Sequence, residues 1–371
     1  MRHIQSLLFC LILFPWYAGA RAQNDITWHD PQKAEFLVMN GQAFPEESRG
    51  TYQRFPNSRK DITPGHVWNR VLFSTGLSLR FYSSAPIITI RYTCANRGYD
   101  MTHMPSTGVS GLDLYARNED GKSMICHDDY HFGDTITYTY NNLVYNHTKK
   151  SGYVFELFLP LYNQVTWMEI GTPKDAEFKF VPTNKAQPIL VYGTSIAHGG
   201  CVSRPAMAWP AILQRSLDIP VINWGFSAAG ELDTEIFQQM TETNARLFIL
   251  DNMPNMTQYL DSIVPRIVRG VHIIRKKSDA PILLVEHDGY TCDETNSVFN
   301  KDSWGLPNKE LRKAYQQLQK EGVKEIHYLT KEELGLTMDA MVDNVHSSDY
   351  GAMLYANAYL PKIRQMLHLT K

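Results

Sequence analysis

The strongest constraint on the fold is a change of hydrophobic period near the middle of the chain. From about Asn24 to Val181, short runs alternate apolar and polar residues, as in Ile88-Thr89-Ile90-Arg91-Tyr92, Thr135-Ile136-Thr137-Tyr138-Thr139-Tyr140 and Tyr153-Val154-Phe155-Glu156-Leu157. Alternation of period two marks strands with one buried face. Turn clusters such as Asn118-Glu119-Asp120-Gly121 separate them. This half therefore predicts an antiparallel β-sandwich or jelly roll. A polar linker, Pro182 to Gln187, follows. Beyond it the strands read as unbroken apolar runs: Ile189-Leu190-Val191-Tyr192, Val221-Ile222, Leu247-Phe248-Ile249-Leu250, Ile282-Leu283-Leu284-Val285 and Ile326-His327-Tyr328-Leu329. Between them Ile263, Ile267 and Ile274 share one helical face, as do Leu311, Tyr315 and Leu318. Unbroken apolar strands alternating with amphipathic helices predict a parallel sheet covered on both faces, a doubly wound α/β domain. Ligands of such sheets bind at the carboxyl ends of the strands.

The 371 residues suit roughly two domains of about 150 residues each. A net charge of -2, with no basic block, excludes a phosphate-backbone partner, so nucleic acid is not expected. The 20 Tyr and 7 Trp are read mainly as core of the sandwich rather than as sugar-stacking platforms. Leu7 to Leu13 is a short apolar run behind Arg2 and His3, and Ala20-Arg21-Ala22 fits a small-x-small cleavage site before Gln23. Residues 1–22 thus read as a secretory signal peptide, which implies a periplasmic or secreted protein with no integral membrane segment after its removal. The expected layout is a signal peptide at 1–22, a sandwich domain at 23–182 and an α/β domain at 183–371. Export leaves Cys94, Cys126, Cys201 and Cys292 free to pair in any of three ways. The absence of a CxxC pair argues against structural zinc, and neither cofactor nor metal is expected.

Chemistry should gather at the strand ends. The first strand runs into Gly193-Thr194-Ser195-Ile196-Ala197-His198-Gly199-Gly200, which places Ser195 at the edge of the sheet as a nucleophile or, more blandly, as a helix cap. The second ends in Asn223-Trp224-Gly225-Phe226-Ser227, where the Gly225 N–H can approach a ligand closely. The third ends in Asp251-Asn252-Met253-Pro254-Asn255, where an Asn amide can donate to an oxyanion. Before the last helix stands Asp343-Asn344-Val345-His346. That spacing lets the carboxylate hold Nδ1–H and leaves Nε2 to take a serine proton. Each feature has an ordinary loop reading, but the ordered set converges on one edge of the sheet.

These blocks resemble those of the SGNH/GDSL hydrolase superfamily from about Pro188 onward. Thr194 stands where that family usually has Asp. The third block departs most, because Met253-Pro254-Asn255-Met256 lacks the usual Gly and following Asp and leaves Asn252 a rival of Asn255. Gly111-Leu112-Asp113-Leu114-Tyr115 is similar to the signature of the GxDLY domain that precedes such hydrolases in secreted bacterial proteins, and Gly199 to Pro205 is similar to that subgroup. The resemblance implies a flavodoxin-like sheet. It also implies a serine esterase with Ser195, His346 and Asp343 as catalytic residues and the Ser195 and Gly225 N–H groups with Asn255 as oxyanion hole. The expected substrate is a small-molecule or glycan ester, with short acyl groups favoured because no long apolar lid segment is visible. His198, Arg204 and His287 are candidate substrate contacts, though packed histidines and a salt-bridged arginine are the plainer readings. Cys126-His127-Asp128-Asp129-Tyr130-His131 mimics a metal cluster but lacks a second ligand group to complete it. Two alternatives stay open: a non-catalytic glycan-binding or assembly protein with a degenerate hydrolase domain, and an acyltransferase using the same acyl-enzyme.

Overall fold

The computed structural model describes residues 25–118, 121–143 and 152–369. The expected signal peptide lies outside them, as do Glu119 and Asp120 of the expected turn. The alternating runs form two antiparallel sheets. One orders Ile26–His29, Val165–Pro173, Ile88–Cys94, Ile136–Tyr140 and Asp129–His131; the other orders Phe178–Val181, Ser78–Ser83, Tyr153–Phe158, Asp113–Arg117 and Ser123–Ile125. The period of two decides which face goes inward. Ile88, Ile90, Tyr92, Ile136, Tyr138 and Tyr140 are buried and meet Leu79, Phe81, Leu114, Phe155 and Leu157 of the opposite sheet. Each such side chain contributes about 1.5–3 kcal/mol on leaving water. On the outer face Arg91 sits opposite Glu169, 2.6 Å away, and stacks over Trp28.

The second half forms one five-stranded parallel sheet of Ile189–Gly193, Val221–Gly225, Leu247–Asp251, Ile282–Val285 and Ile326–Leu329. In space the strands run second, first, third, fourth, fifth, the flavodoxin-like order. Gly193 pairs with Gly225 on one side and with Asp251 on the other, so three strand ends lie side by side at the switch point. Helices cover both faces. Leu260–Arg275 buries Ile263, Ile267, Val271 and Ile274. Lys301–Lys320 buries Leu311, Ala314 and Leu318. This helix starts seven residues ahead of the apolar pattern at Asn308, because the Asn300 side chain caps the N–H groups of Asp302 and Ser303 and the chain continues through Pro307.

Packing does not follow the linear boundary at residue 182. Ala43, Phe44, Phe55, Val67, Trp68 and Val71, all from the N-terminal half, belong to the same core as Leu190, Tyr192, Trp224 and Leu284. Met104, Val109 and Leu161 join the core on the other face of the parallel sheet. Buried Arg54 reaches across to the second parallel strand, donating to the carbonyls of Asn223 (3.0 Å) and Gly225 (2.7 Å) and to that of Arg70. Burial pulls its guanidinium down to about 9. Cys94, Cys126, Cys201 and Cys292 are all free thiols.

Candidate active site

Gly193 ends the first parallel strand where a Cβ would stand 2.7 Å from that of Ala197. Thr194 then caps a one-turn helix, Ser195–His198, by accepting the N–H of Ile196. The capping role thus falls to Thr194 and leaves the Ser195 hydroxyl for other work. Gly199, at φ +102, ends the helix, and the N–H groups of Gly199 and Gly200 both donate to the Ser195 carbonyl, at 3.0 and 2.8 Å. This tight turn holds Ser195 at 7% exposure over the sheet edge.

The loop before the last helix supplies its partner. Asp343 Oδ1 accepts the N–H groups of Val345 (2.8 Å) and His346 (2.6 Å), which folds the Asp–x–x–His segment on itself. Its Oδ2 stands 2.8 Å from His346 Nδ1, and His346 Nε2 stands 2.8 Å from Ser195 Oγ. A carboxylate at Nδ1 keeps the proton there, so the Ser195 hydroxyl donates to Nε2. Burial opposes the Asp343 charge, but the hydrogen bonds from the His346 ring and the two backbone N–H groups hold its carboxyl below the usual range. Ser348 caps the following helix, Asp349–Met366. From the N-terminal half, the His103 ring lies parallel to that of His346 at 6.1 Å.

The oxyanion candidates divide. The Ser195 N–H, in the first turn of its helix, has no protein partner among the described residues. Gly225 is placed otherwise than the sequence suggested. Its N–H donates to Asn223 Oδ1 at 2.8 Å, and a Cβ on it would meet His198 N at 2.2 Å. It is a close-approach glycine, and its N–H is spent. Three residues on, Ala228 is exposed at φ +53, with its N–H unpartnered among the described residues. A non-glycine residue in the left-handed region is a conformational cost that marks a constrained turn. At the third strand, Gly230 sorts the two asparagines. Its N–H donates to Asn255 Oδ1 (3.0 Å), which leaves Asn255 Nδ2 free among the described residues, whereas its carbonyl takes Asn252 Nδ2 (3.0 Å). Asn252 is fully buried; Asn255 is not. Below them Tyr359 donates to Asp251 Oδ2 at 3.0 Å, and burial, aided by the charge of Asp288, pushes the Asp251 carboxyl up to about 7.

The three other sequence candidates do not face the Ser195 hydroxyl. His198 is 0% exposed; Nε2 bonds Leu161 O (2.7 Å) and Thr75 Oγ1 (2.9 Å), and the ring stacks on Tyr162. It is an interface histidine. His287 is 1% exposed, with Nδ1 accepting the Gly289 N–H. Arg204 bonds Asp113 Oδ2 (3.0 Å) and Tyr115 Oη (2.7 Å), and the Ala206 N–H also donates to Asp113 Oδ2 (2.7 Å). The aspartate and tyrosine of the GxDLY run therefore hold the segment that follows the nucleophile. Sequence reasoning missed this tie and the Ala228 turn. An aspartate between apolar strand residues needs a buried partner, and that was the signal for the tie. Cys126, His127 and Asp128 line a cleft of about 360 Å³ with Arg204 and Tyr130. Among the described residues, three metal-ligating side chains converge at Cys201, Asp343 and His346 rather than at this cleft.

Residues 186–364 match the GDSL-like lipase/acylhydrolase family, and residues 26–178 match the GxDLY family, the N-terminus of SGNH-hydrolase-type esterases. No curated protein matches. Among solved structures, a GDSL-like lipase from Bacteroides ovatus is similar over 93% of this chain and 99% of its own, at 27% identity and a TM-score of 0.84. A salicylyl-acyltransferase from a tetracycline biosynthetic pathway shares the fold over 94% and 99% (18%, 0.72). A family two carbohydrate esterase from Cellvibrio japonicus shares it over 93% and 98% (14%, 0.53). The chain thus joins a GxDLY N-terminal domain to a hydrolase domain of the GDSL-like lipase/acylhydrolase family.

Proposed function

We propose that this protein is an exported serine esterase that removes short acyl groups, acetyl above all, from a carbohydrate ester. The observation that carries the reading is the continuous relay from Ser195 Oγ through His346 to Asp343, with both hydrogen bonds at 2.8 Å. His346 Nε2 takes the hydroxyl proton as Ser195 Oγ attacks the ester carbonyl. Asp343 holds the imidazolium that forms. The tetrahedral oxyanion is received by the Ser195 N–H, the Ala228 N–H and Asn255 Nδ2, donors at this sheet edge without a protein partner among the described residues. The His346 proton then passes to the leaving alcohol, and water, deprotonated by the same Nε2, releases the acid. The complete relay disfavours the non-catalytic alternative.

A small acyl group is favoured by the enclosure of the Ser195–His346 pair. Gly200 lies against the His346 ring, where a Cβ would come within 3.0 Å of Cδ2. Tyr162 Oη stands 3.5 Å from the Ser195 carbonyl, and His103 flanks the imidazole. The carbohydrate assignment draws on the family two carbohydrate esterase that shares this two-domain fold. Export rests on the apolar run at Leu7–Leu13 with Ala20-Arg21-Ala22 behind it. Among the described residues no helix is long and apolar enough to cross a membrane.

Hydrolysis of nitrophenyl acetate, butyrate and octanoate tests the chain-length claim. Acetate is expected to exceed octanoate in kcat/KM by more than about 10-fold, and acetylated sugars should release acetate. Preference for octanoate would sink the short-acyl reading. Asn255→Ala should lower kcat about 100-fold with little change in KM, the effect of losing one oxyanion donor. Full activity in that variant would return the role to another group.

A further inference from the structure

The carboxylate and imidazole of the relay have a third neighbour that hydrolysis does not use. Six residues after Ser195 the chain places Cys201 at φ +68, a left-handed conformation rare for a residue with a Cβ. Its side chain is turned inward at 5% exposure. One ligand atom each of Cys201, Asp343 and His346 lies within 4.8 Å of the other two. Among the described residues this is where three such donors meet. A ligand atom of the Cys201 side chain thus lies within 4.8 Å of both a carboxylate oxygen of Asp343 and a ring nitrogen of His346. Of the two ring nitrogens, Nδ1 faces the Asp343 carboxylate and Nε2 faces Ser195.

We propose that Cys201, Asp343 and His346 form an inhibitory site for a thiophilic divalent cation of the Zn2+ type. Thiolate with imidazole suits zinc and its analogues, whereas Mg2+ and Ca2+ prefer all-oxygen sites. Bonds of about 2.3 Å to sulfur and about 2.0 Å to nitrogen and oxygen let one ion sit among atoms so spaced, after small side-chain movements. Three protein ligands leave the fourth tetrahedral position for water. The balance of protons gives the consequence. The ion replaces the thiol proton of Cys201, which goes to solvent, and takes the Nδ1 position, so the imidazole proton moves to Nε2. The ring stays neutral but now offers Ser195 a donor where it had an acceptor. The base is switched off without any change to Ser195. This inhibition rests on the esterase reading; the binding does not.

Co2+ is therefore added to wild-type protein and to Ser195→Ala, which keeps all three ligands. Both should take up one equivalent with a thiolate-to-cobalt charge-transfer band in the near ultraviolet, displaced by Zn2+. Cys201→Ala and Cys201→Gly, the latter suited to the positive φ, should lack the band. In the activity arm, Zn2+ should inhibit wild-type hydrolysis reversibly on chelation. Cys201→Gly should raise the half-inhibitory concentration by more than about 10-fold, a loss that even outer-shell changes reach. A band missing from wild-type protein, or surviving in both Cys201 variants, overturns the site. A band that forms in a protein with no esterase activity upholds the site and removes the hydrolase reading instead.

Discussion

Ser195→Ala is expected to lower kcat for nitrophenyl acetate by about 10^4- to 10^6-fold. The size follows from how the site is built. Among the described residues, Ser195 Oγ is the one nucleophile that His346 Nε2 touches, at 2.8 Å. What survives in the variant is the oxyanion site and substrate binding, which by themselves give a small residual rate. His346→Ala should cost about as much, and the double variant hardly more, because the two act as a unit. Asp343→Asn is the subtler case. The amide oxygen of the new side chain can still accept the Val345 and His346 N–H groups, so the loop keeps its shape, but an amide NH2 facing Nδ1 forces the wrong tautomer. A loss of about 10^4-fold with unchanged folding is expected. Labelling by a fluorophosphonate probe reads the same relay without a substrate: wild-type protein labels at Ser195, and these variants do not. Equal labelling of wild-type and Ser195→Ala protein would mean that another residue is the nucleophile.

Asp113→Ala is expected to destabilise the fold by about 3 kcal/mol, which urea unfolding would read. The carboxylate is 4% exposed and satisfies both the Arg204 guanidinium and the Ala206 N–H. Truncation leaves both without it. The figure is at the low end for a broken buried pair because Arg204 keeps Tyr115 Oη and some solvent. Burial outweighs the attraction of Arg204 and raises the Asp113 carboxyl above its usual range. The pair is therefore costly to ionise as well as costly to break. Asp113→Asn, which retains an acceptor for Ala206, should lose less than Asp113→Ala. Its direction with pH also follows. A carboxyl that holds its proton more tightly folded than unfolded contributes stability that declines as pH rises through the folded value. The Asn variant lacks that decline, so it should compare best with wild type on the alkaline side. A change below about 0.5 kcal/mol in Asp113→Ala, the range of ordinary surface substitutions, would show that the tie carries no weight. Loosening this tie should also reduce turnover, since Arg204 and Ala206 follow Gly200, which lies against the His346 ring.

Much of this was legible in the sequence because period and spacing are local. Alternation at Ile88–Tyr92 chose the inward face of the sandwich, and the unbroken run at Ile189–Tyr192 chose a doubly covered strand. Asp343 and His346 are close in sequence, so their hydrogen bond could be read from spacing. What escaped depends on which group is already occupied. Gly225 looked like an oxyanion donor until Asn223, two residues away, was seen to take its N–H. Asn252 and Asn255 were indistinguishable until Gly230, from another loop, bonded each by a different atom. His198 and His287 were candidate substrate contacts beside the plainer reading as packed histidines; that His198 is buried against Leu161 depends on distant chain. The linear domain boundary at 182 was a fair reading of composition, but composition cannot report that Phe44, Phe55 and Trp68 find their partners beyond residue 189.

That crossing sets the order in which the molecule can assemble. Residues 43–71 leave the ribosome early, yet the side chains that cover them, from Leu190 to Leu284, are made more than a hundred residues later. The first half cannot finish as an autonomous unit while the second is still being synthesised, as separate domains generally do. Until then Phe44, Phe55, Val67 and Trp68 are exposed apolar surface, a binding site for chaperones. Contacts so distant along the chain also slow the search for the native state. A fragment ending near residue 182 should therefore be aggregation-prone, and one beginning near 183 should lack part of its core.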